Sequence, residues 1–285
     1  MGEQMRGHKF IPRKVISIVA AGRSTDQQIE DVRKEGMHFT PSVLRNSIIG
    51  GLEILRKETA ENLIVMGCAC YGTAMPLRGY FQLLDRLDID YTFLTKEYCC
   101  GFPIIQSALL AGEDRRKTDL AAREFIGLNI EQARVIGAKR MVYFCTWCIY
   151  MARRFYPEID IPQLFYPDLL VPRLDKERLR LKPTRVGYFG GRPHRYPIIV
   201  PEGDVKIDWS VYRRLLDRIE GLEVVDIPRY CCTSADWAIW ERLGKEGVNT
   251  LVTPCIVCYG RLWRRAPEGV KVKFLSDILL EALGS

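Results

Sequence analysis

The sequence predicts an α/β protein built from two pseudo-repeated Rossmann-like halves behind an N-terminal strand–helix extension. Three observations point there. Short apolar runs alternate with helical stretches along the chain, the rhythm of a parallel-sheet protein. Two blocks recur in the same order: Leu83 to Cys100 (LLDRLDIDYTFLTKEYCC) aligns without a gap onto Leu215 to Cys232 (LLDRIEGLEVVDIPRYCC), and Gly137 to Cys148 (GAKRMVYFCTWC) onto Gly247 to Cys258 (GVNTLVTPCIVC). All but one of the ten cysteines fall into two ordered sets. The first is Cys68, Cys99, Cys100, Cys145 and Cys148; the second is Cys231, Cys232, Cys255 and Cys258.

Composition sets the frame. A chain of 285 residues, 47% of them hydrophobic, is long enough to bury a full core. Charged residues at 27% are ordinary for a globular protein. The net charge of +7 comes without a long Lys/Arg block, so nucleic-acid binding is not expected. No apolar stretch reaches the roughly 18–20 residues of a membrane span. Met1 to Pro12 is polar and lacks the apolar core of a signal peptide, so a cytoplasmic location is expected. There, clustered cysteines point to metal rather than to a disulfide framework.

The elements follow in order. Lys14 to Ala21 (KVISIVAA) reads as a buried strand, and mostly polar residues follow it. Thr40-Pro41 opens a helix, with Thr40 as cap, whose Leu44, Ile48, Leu52 and Leu55 are expected in the core. Residues 1–61 thus form an extension packed on the first half. Asn62 to Gly67 is a strand that delivers Cys68 at its end, where cofactor sites of open α/β sheets lie. Arg78 to Leu87 reads as a helix, and Tyr91 to Leu94 as a strand leading to Cys99-Cys100-Gly101. Asp114 to Ile136 reads as a long helix with Leu120, Phe125, Leu128 and Ala133 inward, stopped by Gly137. Arg140 to Phe144 is a strand ahead of Cys145-Thr146-Trp147-Cys148, and a helix follows to about Phe155.

The first half is taken as residues 62–156. The proline-punctuated stretch Pro157 to Pro183 is expected to be a linker. Residues 184–285 form the second half, opened by the strand Val186 to Gly191 and closed by a helix over Phe274 to Leu283. This half is degenerate. Gly191 stands where a counterpart of Cys68 is expected, and Thr233 replaces the glycine after the cysteine pair.

Thiolates select zinc, copper(I) or iron–sulfur clusters. A structural zinc site takes two chelating pairs. Each set here has one C-x-x-C, and its other pair is directly adjacent, a poor chelate for one tetrahedral ion. A cluster spreads its irons, so neighbouring thiolates can reach different ones. The first set therefore reads as iron–sulfur, although the ferredoxin run C-x₂-C-x₂-C-x₃-C-P is absent. The second set reads as a cluster with an open site, a cluster completed by another group, or a structural zinc. His194 is a candidate further ligand, against the plainer reading of a loop histidine. Cys70 is a candidate redox-active thiol, against that of a buried cysteine. Arg78, Arg192 and Arg195 can anchor a carboxylated substrate or simply face solvent. A G-x-G-x-x-G phosphate turn is missing, so electrons must enter or leave through partners.

The order Cys68, Cys99-Cys100-Gly101, Cys145-x-x-Cys148, followed by a second version, resembles the cysteine-rich CCG domains of the heterodisulfide reductase B-subunit family. Related proteins occur in glycolate and lactate oxidation systems and in a succinate:quinone reductase. The resemblance covers roughly residues 62–285. It implies two CCG-type halves, and a noncubane 4Fe–4S cluster on Cys68, Cys99, Cys100, Cys145 and Cys148. It implies a second 4Fe–4S cluster, or zinc, on Cys231, Cys232, Cys255 and Cys258. It further implies thiol/disulfide oxidoreductase chemistry, with a ferredoxin-like C-type chain and a flavin-bearing A-type chain of the same complex as partners. A small thiol or a lipoyl carrier protein would bring the sulfur, as in the heterodisulfide reductase-like complexes of sulfur oxidisers. An electron-transfer role in a hydroxyacid or succinate oxidation system is the second reading, and a zinc-stapled scaffold the third.

Overall fold

The computed structural model describes residues 23–38, 42–68, 74–191, 207–228, 232 and 235–284. The expected strand over Lys14 to Ala21, the Thr40-Pro41 cap, Cys70, Arg192, His194, Arg195, Cys231 and Thr233 lie outside them.

Among the described residues two helices come first, α1 (Thr25–Glu35) and α2 (Ser42–Gly51). The polar stretch after Ser24 is thus a helix. Ser24 accepts from the Gln27 backbone and the Gln27 side chain returns the bond, a reciprocal cap. Helix α2 stands as expected, but its core face differs. Leu44 and Leu55 are exposed (52% and 86%), while Ile48 and Leu52 are half-buried. The fully buried side chain of α2 is Arg45, whose guanidinium donates to the Leu94 carbonyl.

The first sheet contains β1 (Asn62–Val65), β2 (Tyr91–Phe93), β3 (Arg140–Tyr143) and β4 (Gln163–Phe165), all parallel, in the order β2-β1-β3-β4. Its first three strands are short and almost wholly buried, as a sheet covered on both faces requires. Helices α3 (Ala74–Arg86), α4 (Phe102–Leu110), α5 (Arg116–Ile136), α6 (Thr146–Phe155) and α7 (Tyr166–Leu174) connect or follow the strands.

Helix α5 buries Ala121, Ala122, Phe125, Ile126 and Ala133, and ends at Gly137, whose φ of 75° is left-handed. Leu120 and Leu128, expected inward, are exposed (66% and 37%). The buried face runs instead through Ala121, Ala122, Phe125, Ile126, Ile130 and Ala133, with Ala122 packed against Gly101.

The stretch from Pro157 to Pro183 is not an unstructured connection. It supplies β4, which pairs with β3 in register Met141↔Gln163 to Tyr143↔Phe165, then α7 and the start of the next strand. Its prolines fall at turns, in the first turn of α7 (Pro167), inside that helix (Pro172) and in the exposed early part of the strand (Pro183).

The second sheet repeats the first. Strands β5 (Arg180–Tyr188), β6 (Glu220–Asp226), β7 (Thr250–Thr253) and β8 (Lys271–Phe274) are parallel in the order β6-β5-β7-β8. With them go α8 (Trp209–Asp217), α9 (Asp236–Lys245), α10 (Ile256–Trp263) and α11 (Leu275–Leu283). The fold is α/β in two like halves, as the sequence repeat predicts.

The halves are interlocked by their last helices. Asp168 of α7 accepts from the Tyr212 hydroxyl of α8 (2.7 Å), while its other oxygen accepts from the Phe165 amide that opens its own helix. Asp277 of α11 accepts from the Phe274 amide in the same way and presses on Gly79 of α3, where a Cβ would overlap its carboxylate. Each closing helix therefore covers the other half. The seam is filled by rings: Tyr166 stacks on Phe274 at 5.3 Å, and Phe144 lies 5.1 Å from Phe274.

Candidate metal centre

The described cysteines lie beyond the carboxyl ends of the strands, where parallel sheets build sites. Cys68 follows β1, Cys99 and Cys100 follow β2, and Cys145 follows β3 and caps α6, with Cys148 one turn in. All five are buried. Cys68 and Cys99 have their sulfurs 3.8 Å apart. The Cys148 thiol is hydrogen-bonded to Cys100 and to Cys145, and these bonds, with burial, push it well above the usual thiol range. The Cys68 thiol is pushed up by its bond to Cys99 and by burial. Bonds from Cys100 and Cys68 hold Cys99 well below that range. The structure thus brings together all five residues of the first predicted set. Among the described residues, no three His, Cys, Asp or Glu side chains close into a single-ion cage.

Backbone devices hold this set in place. Gly67 has φ +78°, and a Cβ there would lie 2.8 Å from Cys148 Sγ and 2.9 Å from Cys145 Cβ. Only glycine lets β1 pass this close to the C-x-x-C turn. Gly101 has φ +77°, and its missing Cβ makes room for Ala122 of α5. The cysteine pair is clamped from both sides. Asn129 accepts from the Tyr98 amide (2.8 Å) and donates to the Tyr98 carbonyl (2.7 Å). The Cys99 amide donates to the Gly36 carbonyl (2.7 Å), so the segment after α1 braces it. Phe102, just past the pair, stacks on Trp147 inside the C-x-x-C, with centroids 3.9 Å apart.

Sequence reasoning does not single out Glu97 or Arg45. Glu97 is fully buried and accepts from the amides of Met66 (2.9 Å) and Gly67 (2.6 Å), fixing the turn that delivers Cys68. Burial raises its carboxyl, against the opposing charge of Arg45 and the two amides. His38 is buried, donates from Nε2 to Gln28 Oε1 (2.8 Å), and lies close enough to Cys99 to interact with it electrostatically. Burial lowers its basicity. A charged residue two before a cysteine pair is the sequence signal that could have found Glu97.

In the second half, Cys232, Cys255 and Cys258 are buried, and the Cys258 thiol is hydrogen-bonded to Cys232 and Cys255. Cys255 caps α10 and accepts from the Cys258 amide (3.4 Å). It is lowered to about 7, chiefly by its bond from Cys258, with Thr146 adding to it. The two sets are neighbours: Thr146 Oγ1, within the first C-x-x-C, lies 3.5 Å from Cys255 Sγ.

The register corrects one expectation. Ile64 pairs with Val142 and Tyr188 with Val252, and the repeat equates Val142 with Val252. Ile64 and Tyr188 are therefore counterparts, and three residues on, so are Gly67 and Gly191. Gly191 has φ +86° and sits 3.3 Å, at its missing Cβ, from Cys255 Cβ and Cys258 Sγ. It repeats the glycine before Cys68, so the cysteine's own counterpart in sequence is Arg192. Strand character alone misplaces it by one residue. Arg78 lies on the exposed face of α3.

The donor chemistry fits an iron–sulfur cluster in the first half. Five buried thiols meet from three strand ends, and a side chain in place of Gly67 would overlap two of them. Among the described residues, no helix is long and apolar enough to cross a membrane.

A family description, the CCG cysteine-rich domain, matches residues 64–153, so that stretch is similar to such a domain. The C subunit of anaerobic glycerol-3-phosphate dehydrogenase from Escherichia coli (strain K12) is 25% identical over 206 residues, covering 62% of this chain and 48% of the relative. The chain thus spans about half the length of the curated relatives it matches. Among solved structures, an aspartate racemase homologue from Pyrococcus horikoshii OT3 overlaps 78% of this chain and 97% of its own, at 12% identity and TM-score 0.34. Glutamate racemase from Aquifex pyrophilus overlaps 78% and 82%, at 14% identity and TM-score 0.31. Neither overlap bears on what the cysteines do.

Proposed function

We propose that the protein is an iron–sulfur component of a multi-subunit oxidoreductase. In this reading Cys68, Cys99, Cys100, Cys145 and Cys148 hold a noncubane-type 4Fe–4S cluster. Cys231, Cys232, Cys255 and Cys258 hold the second centre, a further 4Fe–4S cluster in preference to zinc. Bound clusters supply one-electron redox chemistry at low potential. The chain's own contribution is to bury the sulfurs, fix their backbone through Glu97, Asn129 and Gly36, and keep the two sets adjacent. The observation that carries the reading is the set of five buried cysteines joined by sulfur contacts beyond three strand ends, two of them packed against Gly67. Support comes from the CCG match and from the likeness to one chain of an anaerobic dehydrogenase. Electrons would pass to and from partner chains, one flavin-bearing and one ferredoxin-like by the family resemblance.

Anaerobic purification followed by metal and acid-labile sulfide analysis tests this. Iron and sulfide in equal amounts, about four of each per loaded set, are expected. Zinc without iron or sulfide overturns it.

A second reading gives the same centres thiol/disulfide chemistry, as in the heterodisulfide reductases. The observation favouring it is the contact of the two sets at Thr146 and Cys255, which would let a small disulfide or lipoyl group at the seam face both. Adding thiol or disulfide to the isolated protein while following its paramagnetic spectrum separates the two. A changed spectrum supports substrate chemistry, and an unchanged one leaves electron relay.

A further inference from the structure

We infer that Thr146 is a positioning residue that tunes the centre of the second cysteine set from within the first. The inference rests on the reading above, in which both sets hold clusters. Thr146 is 1% exposed and occupies the first turn of α6, between Cys145 and Cys148. Its hydroxyl oxygen lies 3.5 Å from Cys255 Sγ, itself 5% exposed, across the seam between the halves. A sulfur bound to metal carries no proton, so in the loaded protein the hydroxyl is the donor. Hydrogen bonds to ligand sulfur stabilise the more negative, reduced state and raise the reduction potential. In so dry a place the bond is little weakened by water.

The bridge runs one way. The repeat puts Ile256 at the place of Thr146, and isoleucine has no donor. The second centre therefore gains a hydrogen bond from the first turn and returns none from its own. This asymmetry biases an electron shared between the centres toward the second. The same contact makes a short connection, since Thr146 is joined to Cys145 by one peptide bond.

The test is a redox titration of the anaerobically loaded full chain, followed by electron paramagnetic resonance. The second-set signal is the one lost in Cys258→Ser. Thr146→Val, which deletes the hydroxyl and keeps the shape, is expected to lower that centre's midpoint. At fixed ambient potential its reduced-to-oxidised ratio should fall about tenfold, about 59 mV for one electron. Thr146→Ser should restore it, and the first centre should move less than twofold. Thr146→Ala makes the same deletion if the valine variant loads poorly. An unmoved second centre, equal shifts in both, or a serine variant behaving like valine overturns the inference while leaving the two-cluster reading intact. A wild-type protein with both sets loaded but no redox signal from the second overturns that reading, and the inference with it.

Discussion

Gly67 and Gly191 perform the same task in the two halves with different tightness. Both have a left-handed backbone, at +78° and +86°, and both lay a strand end against a C-x-x-C turn. In the first half the missing Cβ leaves 2.8–2.9 Å to Cys148 Sγ and Cys145 Cβ; in the second it leaves 3.3 Å to Cys258 Sγ and Cys255 Cβ. The first turn is also braced by Glu97, whose place in the repeat is taken by Arg229. Arginine has only donors and cannot accept an amide as Glu97 does. The backbone trick stands in both copies, and among the described residues the carboxylate brace is seen in the first. The complete cysteine set goes with the tighter copy.

The largest expected effect breaks this comparison at the glycines. In Gly67→Ala, backbone strain of about 1–2 kcal/mol adds to overlap with the cysteine side chains, for a loss of about 2–4 kcal/mol. The iron of the first set should be lost with it. Gly191→Ala carries the same strain but a milder contact, so about 1–2 kcal/mol and retained iron are expected. Anaerobic denaturant unfolding and iron analysis measure both. Equal losses in the two variants would show that the difference in packing has no consequence.

A smaller effect sharpens the comparison at two tyrosines. The offset of 132 positions that joins Cys99 to Cys231 also joins Tyr80 to Tyr212. Tyr212 donates to Asp168 across the seam at 2.7 Å. Tyr80 is equally buried, yet among the described residues its hydroxyl has no hydrogen-bond partner. Tyr212→Phe should therefore cost about 1–2 kcal/mol, because it leaves a half-buried carboxylate oxygen without its donor. Tyr80→Phe should be neutral or stabilising by up to about 1 kcal/mol, because it removes an unpaired buried group. Urea midpoints of the two variants give the answer, and a reversed order would mean that Tyr80 is satisfied by trapped water.

Much of this architecture is legible in the sequence. Strands that carry buried β-branched and aliphatic runs, such as Asn62–Val65 and Thr250–Thr253, announce themselves, and each delivers its cysteines on time. The repeat anticipates two sheets of the same strand order. What is not legible has physical causes. Periodicity of large side chains puts Leu44, Leu120 and Leu128 inside, but the buried face of the long helix runs through Ala122, Phe125 and Ile126, and Arg45 is held inside by the Leu94 carbonyl and the charge of Glu97, partners far away in the sequence. Prolines from 157 to 183 suggest a connection, yet a three-residue strand needs only one flank of pairing and tolerates proline on either side. The Cys68 counterpart falls a residue early, because only strand register, and not strand character, distinguishes Gly191 from its neighbour.

The smallest expected effect concerns the closing aspartates, which share a capping role and differ in what they meet across the seam. Asp168 meets a hydroxyl donor, whereas Asp277 meets Gly79 and has no such donor on α3 among the bonds described. Burial raises the Asp277 carboxyl to about 6, helped by Glu281 and opposed by the Phe274 amide and Lys273. A carboxyl raised above its unfolded value of 3.8 favours folding fully below that value, and the contribution is lost as pH rises through about 6. Stability should thus fall between about pH 4 and 6 on this account. Asp277→Asn keeps an oxygen for the Phe274 amide and removes the titration. The variant should gain on the wild type as pH rises through that window, by about 1–2 kcal/mol at pH 7.5 once partial exposure is allowed for. Unfolding free energies of both proteins across pH 4–8 measure the difference. Parallel curves would mean that Asp277 is solvated or paired in solution, and that the two seam contacts are electrostatically alike.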